Sequence, residues 1–270
     1  MKNILTIDYE DMSHSRFDHS FTESGEIDQG LLRPATDELL ELLDKYGFKA
    51  TFFVLGIIAE KMPEVIKKIS SLGHEIASHG YYHTPVYRLK PVEFRDDLRR
   101  SIRVIEDITQ KTVIGYRAPY WSITKESLWA MDIIKESNLR YDSSISPAVN
   151  FLYGIRGAAR LSYRHTTGLW EIPPSTVKIL NKTVIVGGGF YLRALPYWFT
   201  RGCVRSMNRK NIPALVYLHP HEIMGYSSKH KISIKDDFVL NFRKNTFKAK
   251  LIGLFNDFKF CPVSEALGLN

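Results

Sequence analysis

Residues 34–78 read PATDELLELLDKYGFKATFFVLGIIAEKMPEVIKKISSLGHEIAS, and helical and extended patterns alternate along them. Leu39, Leu40, Leu42, Leu43 and Tyr46 recur at helical spacing and Gly47 follows, which predicts a helix over 34–46 closed by a C-terminal glycine. Residues 49–55 read as a strand, 62–72 as a second helix ended by Gly73, and 74–78 as another strand. Upstream, residues 2–8 form a further strand, so the rhythm is β-α-β-α-β from the start. Strand and helix alternating in this way argue for an α/β fold.

Downstream, Pro91 opens a helix to about residue 109, with Val92, Leu98, Ile102, Ile105 and Ile108 on one side. Strands are predicted at 113–116, near Leu139, at 184–191 and at 214–218, and helices at 125–137, 195–209 and 233–258. Residues 146–176 are loop-rich and read as an insertion over the site. With no internal repeat, low-complexity segment or Pro/Ser-rich linker, residues 1–270 are read as one barrel-like domain. In such barrels reactive residues sit where strands end and loops begin.

The composition excludes several classes. The chain has 270 residues, 44% of them hydrophobic, enough for one sizeable core. Cys203 and Cys261 are far apart, without C-x-x-C spacing, so neither a disulfide framework nor a thiolate metal site is expected. The opening MKNILTIDYED has too short an apolar run for a signal peptide, and the apolar stretch 183–192 holds three glycines and is too short for a membrane span, so a cytoplasmic protein is the default. The formal charge is +8, with basic residues gathered in 193–210 and 229–259. Phe238, Phe242, Leu251, Leu254, Phe255 and Phe258 lie among the second group, either as the buried side of a core-packing helix or as a helix resting on an anionic membrane surface. No nucleic-acid-binding motif accompanies the charge, so nucleic acid is not expected as a partner.

Chemistry-bearing residues gather at predicted strand ends. After the first strand come Asp8-Tyr9-Glu10-Asp11, where strand alternation points Asp8 and Glu10 the same way. After the third come His79-Gly80-Tyr81-Tyr82-His83, histidines four apart that meet on one face if the chain turns helically there. Each motif has an ordinary reading: an acidic loop, hydrogen-bonding imidazoles. Together they offer two histidines and a carboxylate, a set that leaves positions open for water and substrate on a catalytic metal. Arg117-Ala118-Pro119-Tyr120 and Tyr217-Leu218-His219-Pro220-His221 follow two further strands. A surface arginine and a capping histidine explain these singly, but packing gives no reason to put ionisable groups at strand ends repeatedly.

With these motifs the chain resembles, over most of its length, the polysaccharide deacetylases, the family of the chitooligosaccharide (NodB-type) deacetylase domain. The resemblance implies an irregular (β/α) barrel of about seven parallel strands. It implies Asp8 as catalytic base, Glu10, His79 and His83 as ligands of a divalent metal, zinc above all, Arg117 to Tyr120 as an Arg-x-Pro-aromatic loop, and His219 as general acid. Where the common form has two adjacent aspartates, Tyr9 follows Asp8 here; the acidic ligand then moves to Glu10, with Asp11 the alternative, and alternation favours Glu10. The acid of the family's fourth motif has two candidate replacements, Asp142 in Tyr141-Asp142-Ser143-Ser144 and Glu171 in Leu169-Trp170-Glu171-Ile172-Pro173. These stretches, with Gly187-Gly188-Gly189-Phe190-Tyr191, resemble more weakly the subgroup tied to bacterial exopolysaccharide and cell-surface glycan assembly.

The implied reaction is hydrolysis of an N-acetyl group on an amino sugar. Asp8 takes a water proton, Arg117 holds that carboxylate, the backbone N–H of Tyr120 serves as oxyanion donor and His219 protonates the departing amine. Tyr81, Tyr82, Tyr120, Trp121 and Trp170 supply candidate sugar platforms, some of them core residues instead. Three rivals stand beside this reading: a metal-free amide hydrolase of the same fold, a deformylase acting on a polyprenyl-linked amino sugar, and a non-catalytic glycan-binding protein. A basic C-terminal helix would suit a polyprenyl-phosphate carrier at the inner membrane face.

Overall fold

The structure is a computed structural model and describes residues 1–15, 27–150, 153–224 and 234–269. In chain order the first elements are β1 (Lys2–Tyr9), α1 (Gln29–Tyr46), β2 (Thr51–Val54), α2 (Gly56–Lys61), α3 (Pro63–Ser71), β3 (Glu75–Ser78), α4 (Pro91–Thr109), β4 (Gly115–Tyr116), α5 (Ala130–Glu136), β5 (Tyr141–Asp142), β6 (Tyr163–Arg164) and β7 (Trp170–Glu171). They are followed by β8 (Thr176–Ile179), β9 (Lys182–Ile185), α6 (Gly189–Ala194), α7 (Tyr197–Asn208), β10 (Leu215–Leu218), α8 (Pro220–Met224), α9 (Ile234–Asn241), α10 (Phe247–Asp257), β11 (Lys259–Cys261) and α11 (Val263–Leu267). One sheet takes the strand order β10-β1-β2-β3-β4-β5-β7-β6, with β11 also on β1, and β8 and β9 form a separate hairpin. The pairs β1 with β10, β1 with β11, β3 with β4, β4 with β5 and β5 with β7 are parallel, whereas β6 runs antiparallel to β7. This is the parallel α/β sheet that the alternation predicts.

The chain divides into two compact units, one of residues 1–52, 73–75 and 186–270, the other of residues 53–72 and 76–185. In the first unit β1 is buried from Asn3 to Tyr9, on both faces. Its register sets Ile4 beside Leu215, Thr6 beside Tyr217 and Ile7 beside Leu218. The helix predicted over 34–46 starts five residues earlier, because the Asp28 side chain accepts the Leu31 N–H at 3.2 Å and caps it; Gly47 closes it at φ 65°. The strand predicted over 184–191 stops at Ile185. Gly188 instead bridges Tyr217, where a Cβ would lie 1.8 Å from the Tyr217 carbonyl oxygen, and α6 begins at Gly189.

The single helix predicted over 233–258 is a second correction. Arg243 takes a left-handed φ of 51° and splits the segment into α9 and α10. Phe247, Leu251, Leu254 and Phe255 of α10 are buried, Phe255 edge-on to Phe48 and Phe260, whereas Phe238 is 54% exposed. Burial of each such side chain stabilises by about 2 kcal/mol, so the core-packing side of that expectation prevails for α10. Residues 225–233, part of the second basic run, lie outside the described residues. Among the described residues no helix is long and apolar enough to cross a membrane.

In the second unit α4 has the predicted bounds, and buries Phe94, Leu98 and Ile105. The helix predicted over 125–137 is a 3-10 turn at Lys125–Ser127 followed by α5. The stretch 146–176, read as an insertion, contributes to the sheet: β7 pairs with β5, Tyr141 beside Trp170 and Asp142 beside Glu171. A strand of two residues leaves too little periodicity to detect, and α2 is similarly short.

Candidate active site and metal centre

β1 delivers Asp8, and Glu10 follows it one residue past the strand; both are buried, with the Glu10 N–H turned back to the Asp8 carbonyl at 3.0 Å. Asp11, the alternative ligand, is occupied otherwise: its Oδ2 accepts the Asp28 N–H at 2.9 Å, the residue that caps α1.

β10 delivers His219, which stands as N-cap of α8, with Pro220 in the first helical position and Glu222 in the third. Glu222 Oε2 accepts both the backbone N–H of His219 and its Nδ1–H, each at 3.1 Å. The His219 Nε2 lies 3.6 Å from Glu10 Oε1, and its ring stacks on His221 with centroids 5.3 Å apart. Burial disfavours a charge on His219, but the Glu222 hydrogen bond and the charges of Glu10, Glu222 and Asp8 outweigh it and raise the imidazole to about 9. Burial works against the Glu222 carboxylate too, yet the His219 hydrogen bond and the His219 and Arg193 charges hold it down at about 2. Desolvation first, and the charged His219 beside it second, lower His221 to about 4. The acid that tunes His219 is therefore Glu222, which sequence reasoning missed. A signal was present: an acid three residues after an N-cap is capping-box spacing.

β3 delivers His79. Its Nδ1 lies 2.7 Å from the Arg117 carbonyl oxygen, an acceptor only, so the ring proton sits on Nδ1 and the lone pair on Nε2. The turn to His83 is a loop instead of the helical turn expected. Gly80 at φ 81° and His83 at φ 62° reverse the chain, and Asp97 accepts the Tyr81 and Tyr82 N–H groups at 2.8 and 3.2 Å. The two imidazole centroids end 5.2 Å apart, and the Tyr120 ring lies 4.7 Å from that of His83.

β4 delivers Arg117, 1% exposed and lying over the Phe53 ring at 4.1 Å. Its Nε and Nη2 donate to Ser143 Oγ at 3.3 and 2.9 Å, and Ser143 in turn donates to the Ile172 carbonyl at 2.6 Å. After it, Tyr120 and Trp121 both take left-handed backbone angles, φ 56° and 49°, a costly pair for residues with side chains of that size. Asp142 and Glu171, the two candidates for tuning His219, face each other across β5 and β7. Burial first, and the Asp142 charge second, push Glu171 well above the usual carboxylate range, and Asp142 is raised by burial as well. Asp142 also takes the Ser144 hydroxyl at 2.5 Å, and Ser144 Oγ takes the Ala118 N–H at 2.7 Å, so this pair buttresses the Arg117 loop. Of the expected sugar platforms, Tyr81 and Trp121 are buried and Tyr82, Tyr120 and Trp170 are partly exposed.

Glu10, His79 and His83 form a buried group whose ligand atoms all lie within 4.8 Å of one another. Two imidazoles and one carboxylate, with the tautomer of one imidazole already fixed, fit a divalent cation.

Comparison with known sequences places the chain among particular relatives. The model of the polysaccharide deacetylase family matches residues 24–138, and that of a domain of unknown function, DUF3473, matches residues 143–268. A peptidoglycan deacetylase-like protein of Gibberella zeae is 30% identical over 179 residues, 64% of this chain and 52% of that protein. A peptidoglycan deacetylase of Helicobacter pylori is 33% identical over 107 residues, 40% of this chain and 36% of that protein. The chain thus spans about half, or less, of the length of these relatives. A crystal structure assigned to a polysaccharide deacetylase of Mycobacterium smegmatis superposes with a TM-score of 0.61 at 18% identity, over 99% of this chain and 90% of that one, a likeness of fold.

Proposed function

We propose that this chain, whose residues 24–138 match the polysaccharide deacetylase family, is a metal-dependent hydrolase removing N-acetyl groups from the amino sugars of a polysaccharide or glycan precursor. The observation that carries this reading is the buried Glu10, His79 and His83 group with the His79 ring proton committed to the Arg117 carbonyl. Those three side chains would hold a divalent metal, zinc by the donor set, which when bound would supply Lewis acidity towards the acetyl oxygen and the attacking water.

The remaining steps belong to the chain. Asp8, buried one residue before the end of β1, removes the proton of the attacking water, and Arg117 orients that carboxylate. The new bond joins water oxygen to the acetyl carbon, and the Tyr120 N–H steadies the oxygen on which charge develops. His219, protonated at neutral pH and holding Nε2 free of Glu222, gives its proton to the amide nitrogen as the carbon–nitrogen bond breaks. Acetate and a free amino sugar result. As the substrate class we propose a cell-surface glycan, supported by the relatives named as peptidoglycan deacetylases.

Elemental analysis of the purified protein beside its His79→Ala variant, with acetate release from a chitooligosaccharide, tests the reading. About one metal per chain, lost in the variant together with turnover, is the expected outcome. A wild type that holds no metal and cannot be loaded moves the protein to a metal-free amide hydrolase or a glycan-binding role.

A further inference from the structure

We infer that Glu222 and Arg193 are positioning residues for the His219 imidazole, joining it to the C-terminal end of α9. The inference takes from the hydrolase reading what His219 does, and rests on geometry for how the ring is held.

Behind His219 the side chains are enclosed. The His219 side chain is 21% exposed, that of Glu222 2% and that of Arg193 4%. Glu222 is oriented independently of the ring it serves, because Oε2 also accepts the His219 backbone N–H, the reciprocal half of a capping box. Its other oxygen, Oε1, accepts Arg193 Nε at 3.1 Å. Arg193 is fixed from the far side as well: Nη1 donates to the Leu240 and Phe242 carbonyls at 2.8 and 3.1 Å, and Nη2 to the Val239 carbonyl at 2.8 Å. The last carbonyls of a helix have no partner within it, and a planar fork of N–H groups meets several at once, as a lysine ammonium does not. His221 closes one face of the His219 ring at an interplanar angle of 20°.

The consequence is a defined tautomer. With both Glu222 oxygens accepting, the His219 ring must present Nδ1–H to Glu222 and turn Nε2 towards the site. An amide in place of the carboxylate reverses this. Arg193, a charged donor, claims the amide oxygen over the neutral His219 backbone N–H, which loses its acceptor; the amide NH₂ then faces Nδ1, and neutral His219 must accept there and carry its proton on Nε2.

The test uses the full-length protein, as wild type, Glu222→Gln and Arg193→Lys, in two measurements. Nitrogen-15 NMR of the imidazoles, recorded above pH 9 where the wild-type ring is neutral as well, is expected to show the His219 proton on Nδ1 in the wild type and on Nε2 in Glu222→Gln. Acetate release from chitopentaose is expected to fall about 100-fold in kcat for Glu222→Gln, by the logic of a wrong-tautomer histidine, and severalfold for Arg193→Lys, with KM within about twofold and metal content unchanged in both. An Nδ1 proton that stays in place in Glu222→Gln, or a rise in KM at constant kcat, overturns the inference. Should the wild type release no acetate, the hydrolase reading fails by itself, and the NMR result still decides how the ring is held.

Discussion

His79 and His219 both commit Nδ1 to a partner, His79 to the Arg117 carbonyl at 2.7 Å and His219 to the Glu222 carboxylate at 3.1 Å. A carbonyl fixes the ring and adds no full charge, so it suits an imidazole that must stay neutral to bind a cation. A carboxylate fixes the ring and rewards a second proton, which suits an acid. The His79 loop and the His219 turn thus assign different tasks to one side chain through the partner alone. His74 supplies a third case: its Nδ1 accepts the Ala50 N–H at 3.2 Å, and burial, then the Lys49 charge, lower it to about 4.

The contrast is broken most severely by removing the His219 imidazole. His219→Gln is expected to lower kcat by about 10²–10⁴-fold, the usual range for a general acid, and to leave metal content intact. Equal metal loss in His219→Gln and His79→Ala, by elemental analysis, would erase the distinction. His74 sharpens it through stability. Its folded value lies below the ordinary 6.5, so its contribution is fully present above pH 6.5 and is lost as pH falls towards 4. About 3 kcal/mol is at stake, readable as a fall in urea midpoint between pH 7 and pH 4 that is smaller in His74→Asn.

Two smaller effects fall on the His79 loop alone. Asp97→Ala leaves the Tyr81 and Tyr82 N–H groups without their acceptor, at a cost of about 1–3 kcal/mol, and zinc affinity measured by calorimetry is expected to drop about tenfold. Gly80→Ala puts a Cβ at φ 81° and 3.0 Å from Asp97 Oδ2, and is expected to destabilise by about 1 kcal/mol in the same urea titration. In neither variant is the His219 tautomer expected to change.

Long, strongly periodic elements were legible in the sequence. α4 has its predicted bounds, and β1, α7 and β10 fall within two residues of theirs, because burial on one stripe or both faces leaves a clear pattern. What escaped was short or broken by backbone choice: β7 has two residues, α6 follows a glycine run, and Arg243 interrupts the last helix with nothing in its side chain to announce it. At the site, spacing singled out Glu10, His79 and His83, which the fold gathers, and misjudged how the two histidines meet, since the His79 to His83 turn is a loop held by Asp97 from α4. Glu222 was hidden by its proximity. An acid two residues after a proline that follows a histidine reads as helix-start chemistry, and here that same chemistry carries the partner of the His219 ring.

β1 lies in parallel contact with β10 and β11, and the Ala214 N–H reaches the Asn3 side chain across 211 residues. During synthesis at ~5–20 residues per second the strand that bears Asp8 emerges roughly 10–40 s before these partners exist. For that interval its Ile4, Leu5 and Ile7 side chains and ladder groups have no native cover on that edge, so a translational pause before residue 215 would lengthen the chain's period of greatest exposure to misassociation.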